Sequence, residues 1–161
     1  VGIYRFAKRL IEPVNYIVAI FNPWIQSKLS RVEENFDIQT FFIKFLIPVA
    51  SVVTLFYVLF GKTFIEIVGS EEFLKSYEPL VILLIGYVTF LLTFWVRQLL
   101  LFNNLIIFHT YGKLIYTFSF IFFSLILSPA YGYNGIALSL TIAIIFQKLF
   151  EIRIYRTKVI Q

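Results

Sequence analysis

The chain has 161 residues, of which 60% are hydrophobic, 20% aromatic and only 14% charged, with a mean hydropathy of +0.86. A soluble domain carries about 25% charged residues, so this composition excludes a water-facing globule and points to an integral membrane protein. The formal charge of +5 fits Lys and Arg retained in cytoplasmic loops; nucleic acid is excluded as a partner because no polar region is large enough to hold a recognition surface.

The sequence contains no Met and no Cys. The opening "VGIYRF" lacks the features of a secretory signal, and the expectation is a fragment of a longer polytopic protein. Without Cys there are no disulfides, thiolate metal sites or Cys nucleophiles.

Five apolar runs approach the roughly 20 residues that cross about 30 Å of hydrocarbon. They cover about 4–27, 41–60, 79–102, 113–129 (with a start as early as Leu105 allowed) and 135–155. Strand-length alternation of the barrel type is absent, so the expected fold is an all-α membrane helical bundle occupying 1–161 as one transmembrane lobe. The charged stretch 28–40, "KLSRVEENFDIQT", reads as a short interfacial helix, and 61–78, "GKTFIEIVGSEEFLKSYE", as a mixed loop. "AYGYNG" between the last two runs is a tight turn of residues that tolerate positive φ, which makes those two spans antiparallel neighbours.

Lys28, Arg31, Lys113, Arg153, Arg156 and Lys158 fall on one side of such a bundle, with Lys44 and Lys148 close behind. The positive-inside rule makes that side, and the C-terminus, cytoplasmic. A multi-pass protein of the cytoplasmic (inner) membrane is the corresponding expectation. Arg5, Lys8 and Arg9 then lie outside, against the rule.

At 100° per residue, Arg5, Lys8, Glu12, Asn15, Ala19, Asn22 and Gln26 fall within an arc of about 100° on the first span, with Arg9 about 40° beyond it. Gly86, Thr89, Thr93, Arg97 and Asn104 share one side of the third span within roughly 80°. Charge at membrane depth costs a few kcal/mol if it faces lipid, so both stripes should line water or a protein interior, and their cations imply a cavity of positive potential.

Blander readings stand beside this one. Arg5, Lys8, Arg9 and Arg97 can snorkel to headgroups, as can Lys44 and Lys148. Lys8 and Glu12 can pair at i, i+4. Pro13, Pro23 and Pro48 are packing kinks or flex points. His109 has no second ligand nearby in sequence, which argues against a metal site. Gly135 and Ser139 read as a close helix contact. Signatures of phosphate-binding loops, zincins and nucleophile elbows are missing, so neither catalytic residues nor a cofactor nor a metal is expected, and the chain is not read as an enzyme.

Three stretches resemble the polysaccharide flippases of O-antigen and teichoic-acid type, within the multidrug/oligosaccharidyl-lipid/polysaccharide exporter superfamily. They are "VGIYRFAKRLIEPVNYIVAIFNPWIQSKLS", "FLIPVASVVTLFYVLFGKTFIEI" and "YGYNGIALSLTIAIIF", in that order. The resemblance implies the last five helices of a twelve-helix, two-lobed transporter whose N-terminal lobe is missing here. It also implies transfer of a polyprenyl-diphosphate-linked oligosaccharide from the inner to the outer leaflet by alternating access, with Arg5, Lys8, Arg9 and Arg97 as candidate substrate contacts. The cavity-lining polar set is Glu12, Asn15, Asn22, Gln26, Thr89, Thr93 and Asn104. A membrane enzyme of glycan assembly, of polymerase or ligase type, and another exporter of the same superfamily are the alternatives.

Overall fold

Proline at position 13 cannot donate a backbone hydrogen bond, and the first segment breaks there. A computed structural model describes residues 2–30 and 41–158. It places α1 at Gly2–Ile11 and α2 at Pro13–Ser30, separated at Glu12. The expected single span 4–27 is therefore two helices joined at a flex point, whereas Pro23 sits inside α2 without ending it. Lys28 to Ser30 continue α2; the remainder of the expected interfacial helix lies outside the described residues.

A π-helical turn, Phe42–Leu46, leads into α3, Ile47–Val68, with Pro48 in its first turn. The helix runs eight residues past the expected end at Phe60, because "GKTFIEIV" contains no breaker that matters. Gly61 is buried where an added Cβ would stand only 3.0 Å from the Tyr77 ring, so its small size is a packing requirement. The helix stops at Gly69, whose N–H still donates to the Ile65 carbonyl at 2.8 Å. A 3₁₀ turn, Glu71–Ser76, then replaces the expected loop and delivers the chain to α4, Tyr77–Phe102.

Helix α4 is the axis of the molecule. Leu80, Leu83, Leu84, Tyr87, Leu91, Phe94 and Leu100 are all buried on it, and α1, α2, α3 and the C-terminal element all pack against it. After the short turn Asn103–Leu105, where Asn104 takes φ 58°, α5 occupies Ile106–Lys158. This is no single rod: Gly132 has φ 56° and ψ −127°, a conformation that favours glycine. Contacts on either side of Gly132 define an antiparallel hairpin. Phe123 and Phe146 rings meet at 5.9 Å, His109 reaches Glu151, and a Cβ on Gly135 would collide with the Leu127 carbonyl. In a continuous helix the 23 residues from Phe123 to Phe146 would span about 35 Å. The tight turn and side-by-side arms expected from "AYGYNG" are thus present, and Gly135 is the close-approach glycine.

Among the described residues there is no β-strand. Among the same residues, three helical stretches are long and apolar enough to cross a membrane: Lys44–Val68, Glu71–Phe102 and Ile106–Lys158. Large apolar side chains such as Val52, Leu55, Leu59, Phe118, Phe122 and Leu125 are exposed along α3 and the first arm of α5. This is the outer face of a bilayer-embedded bundle, where lipid takes the place of a second apolar layer. The described residues form an all-helical fold, and these long apolar helices mark a membrane protein.

Candidate functional site

The core-facing side of α1 and α2 carries Ala7, Leu10, Ile11, Val14, Val18 and Ile25, all buried. At 100° per residue, the centre of the polar stripe lies about 110° around the axis from this face. The stripe therefore borders the core rather than facing it. Its Asn15 and Asn22 open onto cavities between α2, α4 and the α5 hairpin, and its members differ in depth: Arg5, Asn15 and Gln26 are exposed, Lys8, Glu12 and Asn22 half-buried.

At the end of the bundle where α2 and α4 stop, a chain of amides crosses from the stripe to α4. Gln26 Nε2 donates to Gln98 Oε1 at 3.0 Å, and Gln98 Nε2 donates to Asn22 Oδ1 at 2.8 Å. Gln98 is buried, so these bonds satisfy an amide that would otherwise be costly. Its neighbour Arg97 is exposed. Beside this chain is a cavity of about 70 Å³ lined by Asn22, Phe90, Arg97, His109, Lys113 and Lys148, among others. Helices α2 and α4 and both arms of α5 contribute to it.

The hairpin supplies the most buried charges of the site. Lys148 is 2% exposed and Glu151 is fully buried. Lys148 Nζ donates to Glu151 Oε2 at 2.8 Å, while Glu151 Oε1 accepts from Gln147 Nε2 at 2.7 Å and faces His109 Nδ1 at 2.8 Å. A carboxylate paired with an ammonium only accepts, so Nδ1 carries a proton here. Lys148 Nζ also stands 5.1 Å from the centre of the Phe90 ring, a favourable cation–π distance. Gly112 allows this approach, since a Cβ there would lie 3.0 Å from Glu151 Oε1. Arg97, Lys113 and Lys148 set against Glu151 leave a surplus of two positive charges at the cavity. Such a cleft with low-dielectric walls attracts anions.

A second cavity of about 240 Å³ adjoins the first and shares Phe90 and Lys113 with it; Asn15, Tyr87, Tyr116 and Gln147 complete the polar part of its lining. Two further cavities among the described residues are apolar, one between α3 and α4 beside Thr54 and Leu92, the other at Phe21, Trp24 and Phe41.

Of the residues singled out from sequence, Arg97 and Asn22 line the first cavity, Asn15 lines the second, and Gln26 joins the amide chain. Glu12 sits at the break between α1 and α2. Arg5, Lys8 and Arg9 are on α1, and the 17 residues from Arg5 to Asn22 correspond to about 25 Å of helix, so they do not join Arg97. Lys8 and Arg9 occupy the last turn of α1, where a cation suits the helix dipole. Thr89 and Thr93 donate to the Ile85 and Thr89 carbonyls of their own helix at 2.8 and 2.6 Å. Asn104 is exposed in the turn after α4. Gly86 receives the α5 hairpin at Thr141 instead of lining water.

Two expectations change. Lys148 does not snorkel, because its ammonium is turned inward onto Glu151. His109 is not alone, because the hairpin carries Glu151 to it. Gln98, Lys113, Tyr87, Tyr116 and Gln147 were not singled out by periodicity. The usable signal was the turn: positions equidistant from Gly132 come level in an antiparallel hairpin, which sets His109 within about one helical turn of Glu151. No protein-family model, curated protein or solved structure matches the chain.

Proposed function

We propose that this chain is part of a membrane flippase that carries a polyprenyl-diphosphate-linked oligosaccharide from the inner to the outer leaflet, serving surface polysaccharide synthesis. One observation carries the reading. Arg97, Lys113, Lys148 and His109 converge from three helical segments on one cavity, opposed by a single carboxylate. A diphosphate suits that surplus of positive charge, and the polar flank of α1 and α2 continues from it toward the opposite end of the bundle. A headgroup moving along this flank stays out of hydrocarbon while its polyprenyl tail remains in lipid.

In this reading the first segment, α3, α4 and the two arms of α5 make five crossings of a C-terminal lobe. The C-terminus is cytoplasmic, and the cationic cavity is the inward-facing loading site. Arg5, Lys8 and Arg9 meet the headgroup at the outer end. A second lobe completes the pathway, and rocking of the two lobes gives alternating access. The break at Glu12–Pro13 is where the lining helix flexes. The resemblance of the sequence to polysaccharide flippases supports the same reading.

The test is translocation in proteoliposomes, followed as the loss of accessibility of a lipid-linked oligosaccharide to an added glycosidase. The Arg97→Ala/Lys113→Ala double variant, with both side chains exposed and so removable without unfolding, is expected to abolish translocation. Unchanged translocation in that variant rules out the cavity as the loading site.

A further inference from the structure

The cationic cavity accounts for an anion but leaves its larger neighbour without a role. That neighbour has the chemistry of a sugar site. Tyr87 and Tyr116 present aromatic rings, which pair an apolar face with a polar edge. Asn15 and Gln147 present amides, each able to donate and accept. A hexose ring needs both: an apolar C–H face laid against an aromatic, and hydroxyls met in the ring plane by groups that donate and accept. A lipid tail would prefer the two apolar cavities, lined mostly by Ile, Leu, Val, Phe and Trp, with Ser51 and Thr54 turned back onto carbonyls of their own helix.

The position is as informative as the composition. Phe90 and Lys113 belong to both cavities, and Lys113 Nζ stands 5.6 Å from the Tyr116 ring. A group bound among the tyrosines is therefore in direct contact with the cationic pocket. The site is also built rather than incidental. Tyr87 is 7% exposed and Gln147 4%, Gln147 is fixed by its bond to Glu151, and Tyr116 is stacked on Phe120 with planes 9° apart. The two cavities, about 240 and 70 Å³, only together reach the low end of small-molecule sites, which run from about 300 to 1,000 Å³. They admit one ring and its phosphate, not an oligosaccharide.

We infer that the cavity of Asn15, Tyr87, Tyr116 and Gln147 is a carbohydrate subsite, which holds the sugar ring bonded directly to the anion in the Arg97–Lys113–Lys148 pocket. This rests on the anion-binding reading above and adds a specificity to it: the protein recognises a glycosyl phosphate, not phosphate alone.

The experiment is calorimetric titration of the protein in lipid nanodiscs with inorganic phosphate, glucose 1-phosphate and N-acetylglucosamine 1-phosphate. The better hexose phosphate is expected to bind at least about tenfold more tightly than phosphate, the effect of one or two hydrogen bonds. Asn15→Leu, at an exposed position, and Tyr87→Phe, which keeps the ring, should each erase most of that gain while phosphate affinity stays unchanged. Phosphate binding with no gain from either sugar overturns the subsite and leaves the anion pocket standing. No binding of any probe overturns both. A gain that survives both substitutions places the sugar elsewhere and overturns the assignment.

Discussion

Replacing Glu151 with Gln keeps the shape of the side chain and removes its charge. The consequence follows from burial: Lys148 and Glu151 side chains are 3% and 0% exposed, with Nζ and Oε2 2.8 Å apart. Breaking a buried pair by neutralising one partner costs about 3–5 kcal/mol, because the remaining charge is left without compensation. For a chain of this length about 1 kcal/mol moves Tm by 2–4 °C, so Glu151→Gln should lower Tm by about 6–20 °C. The assay is thermal unfolding in nanodiscs followed by intrinsic fluorescence of Trp24 and Trp95. The Lys148→Met/Glu151→Leu pair removes both charges, and apolar replacement of a buried pair is often neutral or stabilising, so it should melt within a few degrees of the parent. Arg153→Gln, exposed on the same arm, should stay within about 0.5 kcal/mol. A Glu151→Gln variant that melts within about 2 °C of the parent refutes the buried pair. A double variant as unstable as the single one refutes the electrostatic cause.

The remaining predictions address the hairpin and the first segment. Gly135→Ala should open the hairpin, because the new Cβ meets the Leu127 carbonyl and lies 2.9 Å from the Ser128 nitrogen, and backbone atoms cannot move aside as a side chain can. Destabilisation of about 1–3 kcal/mol is expected for overpacking of this kind, along with a reduced yield of cross-linking between Cys placed at Phe123 and Phe146; an undiminished yield contradicts the close approach. Tyr57→Phe should cost about 1 kcal/mol, since the Tyr57 hydroxyl donates to the Leu10 carbonyl at 2.5 Å and ties α3 to the end of α1. A melting temperature within 1 °C of the parent, about a quarter to a half of what 1 kcal/mol brings, shows that bond to be dispensable.

Sequence reading reached furthest where the physics is local. The helical class followed from apolar runs, and the hairpin followed from "AYGYNG", in which Gly132 takes the left-handed conformation. The polar stripe on the first segment was visible because helical periodicity alone places Arg5 through Gln26 on one flank. Its break was not, since Pro13 is compatible both with a kinked helix and with a new helical start. The end of α3 was misplaced because Lys62, Thr63 and Glu66 look like loop residues, yet all three are simply on the exposed side of a helix that continues to Val68. The site itself depends on contacts between residues far apart in the chain: His109 with Glu151, Gln98 with Asn22. Lys148 looked like a snorkelling cation because a single-helix view shows only its closeness to the helix end. What reverses that reading is Gly112 on the other arm, whose missing side chain makes room for Glu151.

The central claim is that the polar flank of α1 and α2 faces water rather than lipid or a dry interface, and the absence of Cys makes it directly measurable. Single Cys would be placed at Asn15 and Ala19 on the flank, at Val14 in the core, and at Ile20, which is 72% exposed but lies on the lipid side of the helix. Each would then be exposed, from either side of the membrane, to a membrane-impermeant thiol reagent. The account predicts modification at positions 15 and 19, and protection at 14 by packing and at 20 by lipid. Protection of 15 and 19 from both sides, or labelling of 20 as fast as 15, would contradict it.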